Sequence, residues 1–225
     1  MRVPNTSRSP GGDPVRHECL FGVVRCRYEV PVSGTRRAAR FGPVATVGVV
    51  ASRPGRVLVV GPPGVGKSWV AGRLALSIGL PHVELDGFKL KSGRQLASAE
   101  EVEAGLRAAV AEDRWVLDGN WSDDELARRV WGQADLVVWL DLPRHKVMRQ
   151  VAWRSVRRVV TQEAYHGWNE RLRDWVSPTH PMRWSWKMVA VYRDRYRGMA
   201  ARLPSDRVVH VTSRSGATRL VDQLR

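Results

Sequence analysis

From residue 56 onward, the apolar positions alternate between short solid runs and helical stripes. Val57-Leu58-Val59-Val60 is an unbroken apolar run that ends at Gly61, as expected of a strand buried on both faces. Lys67–Ile78 then places Val70, Leu74 and Ile78 on one stripe, backed by Ala71 and Ala75, which is helical spacing. The alternation repeats. His82–Leu85 predicts a second short strand. Ala97–Glu112 predicts a helix with early Glu100, Glu101 and Glu103, where negative charge suits the helix dipole. Trp115-Val116-Leu117 predicts a third strand, Asp135–Leu140 a fourth, and Pro143–Val160 a long helix. Val208–Val211 predicts a fifth strand and Ala217–Leu224 a closing helix. Five apolar strands separated by helices predict an α/β fold with a parallel sheet covered on both faces.

The first 54 residues read differently. They hold 9 Arg, no Lys and 3 acids, are punctuated by Pro, Gly and Ser, and sustain no helical period. We expect residues 1–54 to be a poorly ordered basic extension and residues 55–225 to be the domain. Short strands around Leu20–Val24 and Val44–Val50, or a nucleic-acid-binding arm, are the alternatives. The uncharged run Phe41–Ser52 falls far short of the roughly 20 apolar residues a spanning helix needs, and begins late for a signal peptide. Only Cys19 and Cys26 are cysteines, and no C-x-x-C occurs, so neither a disulfide scaffold nor a zinc ribbon is expected. A cytoplasmic protein with no membrane partner is the expectation.

The net charge is +15. Residues 55–148 carry 12 basic and 13 acidic groups, whereas residues 149–197 carry 11 basic and 4 acidic ones. The attraction for polyanions is therefore concentrated just after the fourth strand.

The turn after the first core strand is Gly61-Pro62-Pro63-Gly64-Val65-Gly66-Lys67-Ser68, a complete G-x-x-x-x-G-K-[ST]. Each residue type answers a need of a polyphosphate. Glycines let backbone N–H groups turn inward, Lys67 reaches the β- and γ-phosphates, and the Ser68 hydroxyl can ligate Mg²⁺. An apolar strand before and an amphipathic helix after are the required context, and a helix N-terminus favours anions. ATP and Mg²⁺ are the cofactors this implies.

Whether such a site hydrolyses or transfers depends on the acids beside it. AAA-type ATPases share Gly-Pro-Pro-Gly-x-Gly-Lys-Ser but need a strand ending in adjacent Asp and Glu to activate water. Here the strand ends read Asp118-Gly119 and Asp141-Leu142, and Asp123-Asp124-Glu125 follows no strand. Three segments instead resemble the adenylate kinase-like superfamily: Leu80-Pro81-His82-Val83-Glu84-Leu85-Asp86, Val116-Leu117-Asp118-Gly119-Asn120, and Val138-Trp139-Leu140-Asp141-Leu142-Pro143 with its Arg-rich continuation. Leu-Pro-His-x-x-Leu-Asp and Asp-Gly-Asn are similar to the bacterial topology modulation protein (FlaR-like) group. The resemblance covers residues 56–225. It implies a P-loop NTPase fold with sheet order 2-3-1-4-5, helices on both faces, and a helical Arg-rich lid at about 149–197. Two departures bear on the acceptor. Adenylate kinases continue Asp-Gly with Phe-Pro-Arg, where Asn120-Trp121 stands here, and FlaR-like chains carry a Trp where Gly87-Phe88-Lys89 stands.

The resemblance implies roles for particular residues. Asp118 would hold Mg²⁺ through water, together with Ser68; a turn-capping Asp is the alternative. Asp86, at the end of the second strand, would orient or deprotonate an acceptor hydroxyl, or else merely cap a turn. Asp141 is read as the cap of the next helix, with a supporting role near the site as the alternative. Arg154 matches a phosphate-gripping arginine, and Arg157 and Arg158 share its helix face. All three serve transfer in this reading, as Lys67 does, or else form a solvated basic face. Arg171 and Arg173 fall in the lid. Trp69 and the lid-region tryptophans are expected to pack rather than react. The expected activity is ATP-dependent phosphoryl transfer to an unidentified small-molecule or nucleotide-like acceptor. A nucleotide-sensing regulator that binds nucleic acid, and a hydrolytic ATPase, are the alternatives.

Overall fold

The computed structural model describes residues 15–21, 24–30, 54–89, 97–120, 124–162, 175 and 180–225. The chain divides into two compact units, Met1–Ala39 and Arg40–Arg225.

In the first unit β1 (Val15–Phe21) and β2 (Val24–Val30) pair antiparallel. The second strand alternates strictly, with Val24, Cys26, Tyr28 and Val30 between Arg25, Arg27 and Glu29. The register sets Arg16 opposite Glu29 and Glu18 opposite Arg27. The strand expected at Leu20–Val24 straddles the end of this hairpin. The one expected at Val44–Val50, and the remainder of the expected extension, lie outside the described residues.

The second unit holds five parallel strands: β3 (Arg56–Val60), β4 (His82–Glu84), β5 (Trp115–Asp118), β6 (Leu136–Leu140) and β7 (Val208–Val211). Their order is β4-β5-β3-β6-β7, which is the expected 2-3-1-4-5. β5 and β6 are buried throughout and β3 from Val57 onward, which is why they read as solid apolar runs. β4, at the edge, is only half-buried and leaves Glu84 exposed.

α1 (Lys67–Ile78) buries Val70, Ala71, Leu74, Ala75 and Ile78 against the sheet and ends on left-handed Gly79. Trp69 and Arg73 fall on its outer side. Trp69 is 51% exposed, with the Arg73 guanidinium 5.5 Å from its ring, so it does not pack inward as expected. α2 is Leu85–Lys89 and α3 is Ala99–Ala111. A capping box starts α3: Glu101 N donates to Ser98 Oγ (3.2 Å) and Ser98 N to Glu101 Oε2 (2.8 Å). α4 (Asp124–Gln133) was not anticipated, although Ala127, Val130, Trp131 and Ala134 are buried at helical spacing. Asp135, expected to open the fourth strand, precedes β6. Its Oδ2 accepts from Gly55 N (3.0 Å) and Arg56 N (2.9 Å).

α5 is Arg144–Thr161 and α6 is Pro181–Ala200. They pack on each other and form the two described ends of the expected lid; residues 163–174 and 176–179, with Arg171 and Arg173, lie outside the described residues. Trp139 is core, stacked on His210 at 4.1 Å, but Trp153 and Trp186 are mostly exposed, contrary to expectation. Trp186 instead meets the Arg144 guanidinium at 4.9 Å. α7 (Arg214–Gln223) begins a turn earlier than expected, because Ser213 Oγ accepts from Gly216 N (3.0 Å) and caps it. No helix among the described residues is long and apolar enough to cross a membrane.

Candidate active site

The loop Gly61–Ser68 leaves the C-terminal end of β3, the middle strand, and enters α1 through left-handed Gly66. Gly64 has φ +81°, and a Cβ there would overlap Val151 of α5. Only glycine suits both the backbone and the close approach of that helix. α5 is thus seated directly on the loop. With the Gln150 amide turned to satisfy its neighbours, its nitrogen donates to Gly64 O (3.1 Å). Its oxygen then accepts from Arg214 Nε (3.2 Å) and Nη2 (3.3 Å) at the start of α7.

Lys67 is half-buried, and its Nζ donates to Pro62 O (3.3 Å). A second restraint comes from Asn120, two residues past the end of β5. Turned in the same way, its amide nitrogen donates to Gly61 O (2.6 Å) and Tyr196 Oη (2.8 Å), and its oxygen accepts from Lys67 Nζ (3.2 Å). Tyr196 arrives from α6, buried and stacked against Trp131 and Tyr192. Burial pushes its phenol well above the ordinary range, with Tyr192 and, less, Asp86 adding to this and the charge of Arg195 opposing it. Residues at positions 61, 67, 120 and 196 therefore form one network, tying the loop to both β5 and α6.

Asp118 ends β5 beside the loop strand, in register with Val59 on one side and Glu84 on the other. Its side chain is 5% exposed, and His82 Nε2 lies 3.3 Å from Oδ2. That hydrogen bond holds His82 above its ordinary pKa against the opposing effect of burial. Asp118 is thus neither a surface group nor a turn cap. Ser68 is exposed at the start of α1. A hydroxyl and a carboxylate are oxygen donors of the kind Mg²⁺ takes. The buried Asp118 carboxylate, whose one hydrogen bond among the described residues is to His82, fits a neighbouring cation.

Asp86 does not end a strand. β4 stops at Glu84, and Asp86 lies exposed in the first turn of α2. Leu85 is buried against Gly119, where a Cβ would overlap it, so Asp86 still stands beside the Asp118-Gly119-Asn120 segment.

Asp141 is not a helix cap either; Pro143 occupies that position of α5. Asp141 Oδ1 accepts from Arg193 Nε (2.6 Å), Oδ2 lies 3.0 Å from His210 Nε2, and Arg193 Nη2 donates to Leu142 O (3.2 Å). Burial pushes Asp141 up, but the His210 and Arg193 hydrogen bonds and charges outweigh it and hold its pKa low. An acid so engaged is not placed to activate water.

Arg154, Arg157 and Arg158 all lie on α5, with Arg154 and Arg157 exposed and Arg158 half-buried. Gln150, Arg154 and Arg157 fall at i, i+4 and i+7, one stripe that starts at the loop contact. At 1.5 Å per residue the arginines follow Gln150 by about 6 to 12 Å. Lys67 and Ser68 thus start α1 at the loop, Asp118 ends the strand beside the loop strand, and the three arginines lie one to two turns along α5 from its contact with the loop. Gln150, Asn120, Tyr196 and Arg214 are additions. Only Asn120 had a sequence signal, its place after Asp-Gly.

The profile of the ATPase family associated with various cellular activities (AAA) matches residues 57–117. It stops one residue before Asp118. Adenylate kinase of Streptomyces coelicolor is 29% identical over 49% of this chain and 64% of its own length; that of Streptomyces avermitilis is 28% identical over 49% and 63%. The chain thus spans less than two thirds of the length of these curated relatives. Among solved structures, a gluconokinase from Sinorhizobium meliloti superposes with TM-score 0.43 at 17% identity, covering 76% of this chain and 96% of that one. A shikimate kinase from Bacteroides thetaiotaomicron does so with TM-score 0.47 at 13% identity, with the same coverage. The sheet order, the loop at the end of the middle strand and the family match give the second unit the α/β fold of P-loop NTPases.

Proposed function

We propose that this protein is an ATP-dependent phosphotransferase acting on a small-molecule or nucleotide-like acceptor. The observation that carries the reading is the seating of α5, the helix that bears Arg154, Arg157 and Arg158, on the loop through Val151 and Gln150. In this reading the loop N–H groups and Lys67 bind the β- and γ-phosphates, and Asn120 and Pro62 O keep Lys67 aimed. Ser68 and Asp118 hold Mg²⁺, which neutralises phosphate charge. The arginines stabilise charge on the transferring phosphoryl group, and Asp86 orients the acceptor hydroxyl. The tying of Asp141 to Arg193 and His210 favours transfer over hydrolysis. The segments ending in Asp86 and Asn120 keep the likeness to the topology modulation (FlaR-like) group as part of this proposal.

The test uses γ-labelled ATP and a panel of nucleosides, nucleotides, sugars and small acids. Changing Arg154, Arg157 and Arg158 to Ala should cut transfer about 100-fold or more while ATP affinity stays within about threefold, as for lost charge clamps. The competing outcome is a wild type that phosphorylates no acceptor and binds duplex tightly and salt-dependently, with the triple variant losing a salt slope of about 0.7–0.9 per phosphate contact. That result would replace the phosphotransferase with a nucleic-acid binder.

A further inference from the structure

Three side chains from neighbouring strands meet on the sheet face that α1 covers. Glu84 lies opposite Asp118, and His82 sits two residues earlier on the same strand, so all three share that face. One ligand atom from each (an imidazole nitrogen and two carboxylate oxygens) lies within 4.8 Å of the others. The ring of His82 is under the second turn of α1, with Nδ1 3.7 Å from where a Cβ of Gly72 would stand. Ser68 is one helical turn closer to the loop than Gly72 on the same helix.

The state of Asp118 gives the second observation. A carboxylate offers about four acceptor positions. This one is 5% exposed and, among the described residues, makes a single hydrogen bond, to His82. Beyond the one position that His82 uses, this buried carboxylate keeps acceptor positions that a cation can fill. Magnesium is met by oxygen donors alone, whereas an imidazole moves preference toward first-row transition metals.

We propose that His82, Glu84 and Asp118 bind a divalent transition-metal ion of the Mn²⁺ to Zn²⁺ series, in the absence of nucleotide. Three protein ligands leave the remaining coordination positions to water or to a phosphate oxygen above. Affinity follows the order Mn²⁺ below Zn²⁺. The site shares Asp118 with the Mg²⁺ role of the phosphotransferase reading, but its test needs neither ATP nor an acceptor.

The experiment titrates the full-length, nucleotide-free chain with ZnCl₂ and with MnCl₂ by calorimetry, with Mn²⁺ also followed by electron paramagnetic resonance. The expected result is one ion per chain, tighter for Zn²⁺, retained in about 100-fold excess MgCl₂. His82→Gln should abolish it. Glu84→Gln, at an exposed position that leaves the fold intact, should weaken it about tenfold or more. Lys67→Ala should bind the metal as the wild type does, which separates this result from any failure of the nucleotide site. Circular dichroism confirms that each variant is folded. No stoichiometric binding by the wild type, displacement by equimolar Mg²⁺, or equal affinity in the folded Glu84→Gln and His82→Gln variants overturns the proposal.

Discussion

Two aspartates stand at the ends of the strands that flank β3, and their surroundings part them. Asp118, at the end of β5, has one hydrogen-bond partner among the described residues, His82 on the adjoining edge strand. Asp141, just past β6, is held by Arg193 from α6 and His210 from β7, residues 52 and 69 positions later in the chain. The first keeps a buried carboxylate able to accept a cation. The second has its charge neutralised and fastens α6 across the end of the sheet. A strand-end Asp in this fold therefore acquires its task from what the later chain brings to it.

Asparagine at each position should separate the two tasks, and the largest effect is expected at Asp118. Asp118→Asn should lower phosphoryl transfer by about 100-fold or more, with a melting temperature close to that of the wild type. Asp141→Asn should do the reverse. It leaves Arg193 and His210 without their anion and should cost about 1.5–3 kcal/mol, the range for hydrogen bonds to charged groups. Transfer should persist, and thermal unfolding together with turnover checks both. If Asp141→Asn abolishes turnover at unchanged stability, the division of labour between the two ends is wrong.

Tyr196→Phe probes the seam between the two regions, since Tyr196 joins α6 to Asn120 and through it to Lys67. Removing the hydroxyl should destabilise by about 0.5–1.5 kcal/mol and weaken Mg-ATP binding a few-fold, read by calorimetry. A full loss of stability with unaltered ATP affinity would mean that the network holds α6 and not the loop.

The smallest effect is in acid. The pKa of Asp141 is lowered in the folded protein, so its stabilisation is present above the ordinary carboxylate value of about 3.9. It is lost as pH falls through the lower folded value. Below about pH 4 the wild type should lose stability more steeply than Asp141→Asn, and the two acid-unfolding curves should converge. Parallel curves would show that Arg193 and His210 are anchored by other contacts.

The apolar runs at Val57–Val60 and Leu136–Leu140, the loop between Gly61 and Ser68 and the stripe on α1 were legible because each is local. Strand burial, phosphate-cradle spacing and helical period are properties of a few consecutive residues. Shorter or less regular signals were misread. Leu85 and Asp86 look like a strand's end but begin α2. The ten-residue α4 hid behind its acidic start, and the alternation of Val24, Cys26, Tyr28 and Val30 was diluted by the Arg-rich stretch around it.

The sequence by itself determined the fold class, the phosphate loop and the acids available at the strand ends, since these follow from residue type and short-range period. Tertiary structure alone decided which acid stays open and which is tied. It also decided that Asn120 and Tyr196 aim Lys67, that Gln150 seats an arginine helix on the loop, and that His82 and Glu84 join Asp118. Those contacts depend on strand order and on helices returning over the sheet from 30 to 70 or more positions away. No pattern within a window of the chain encodes a partner at that separation.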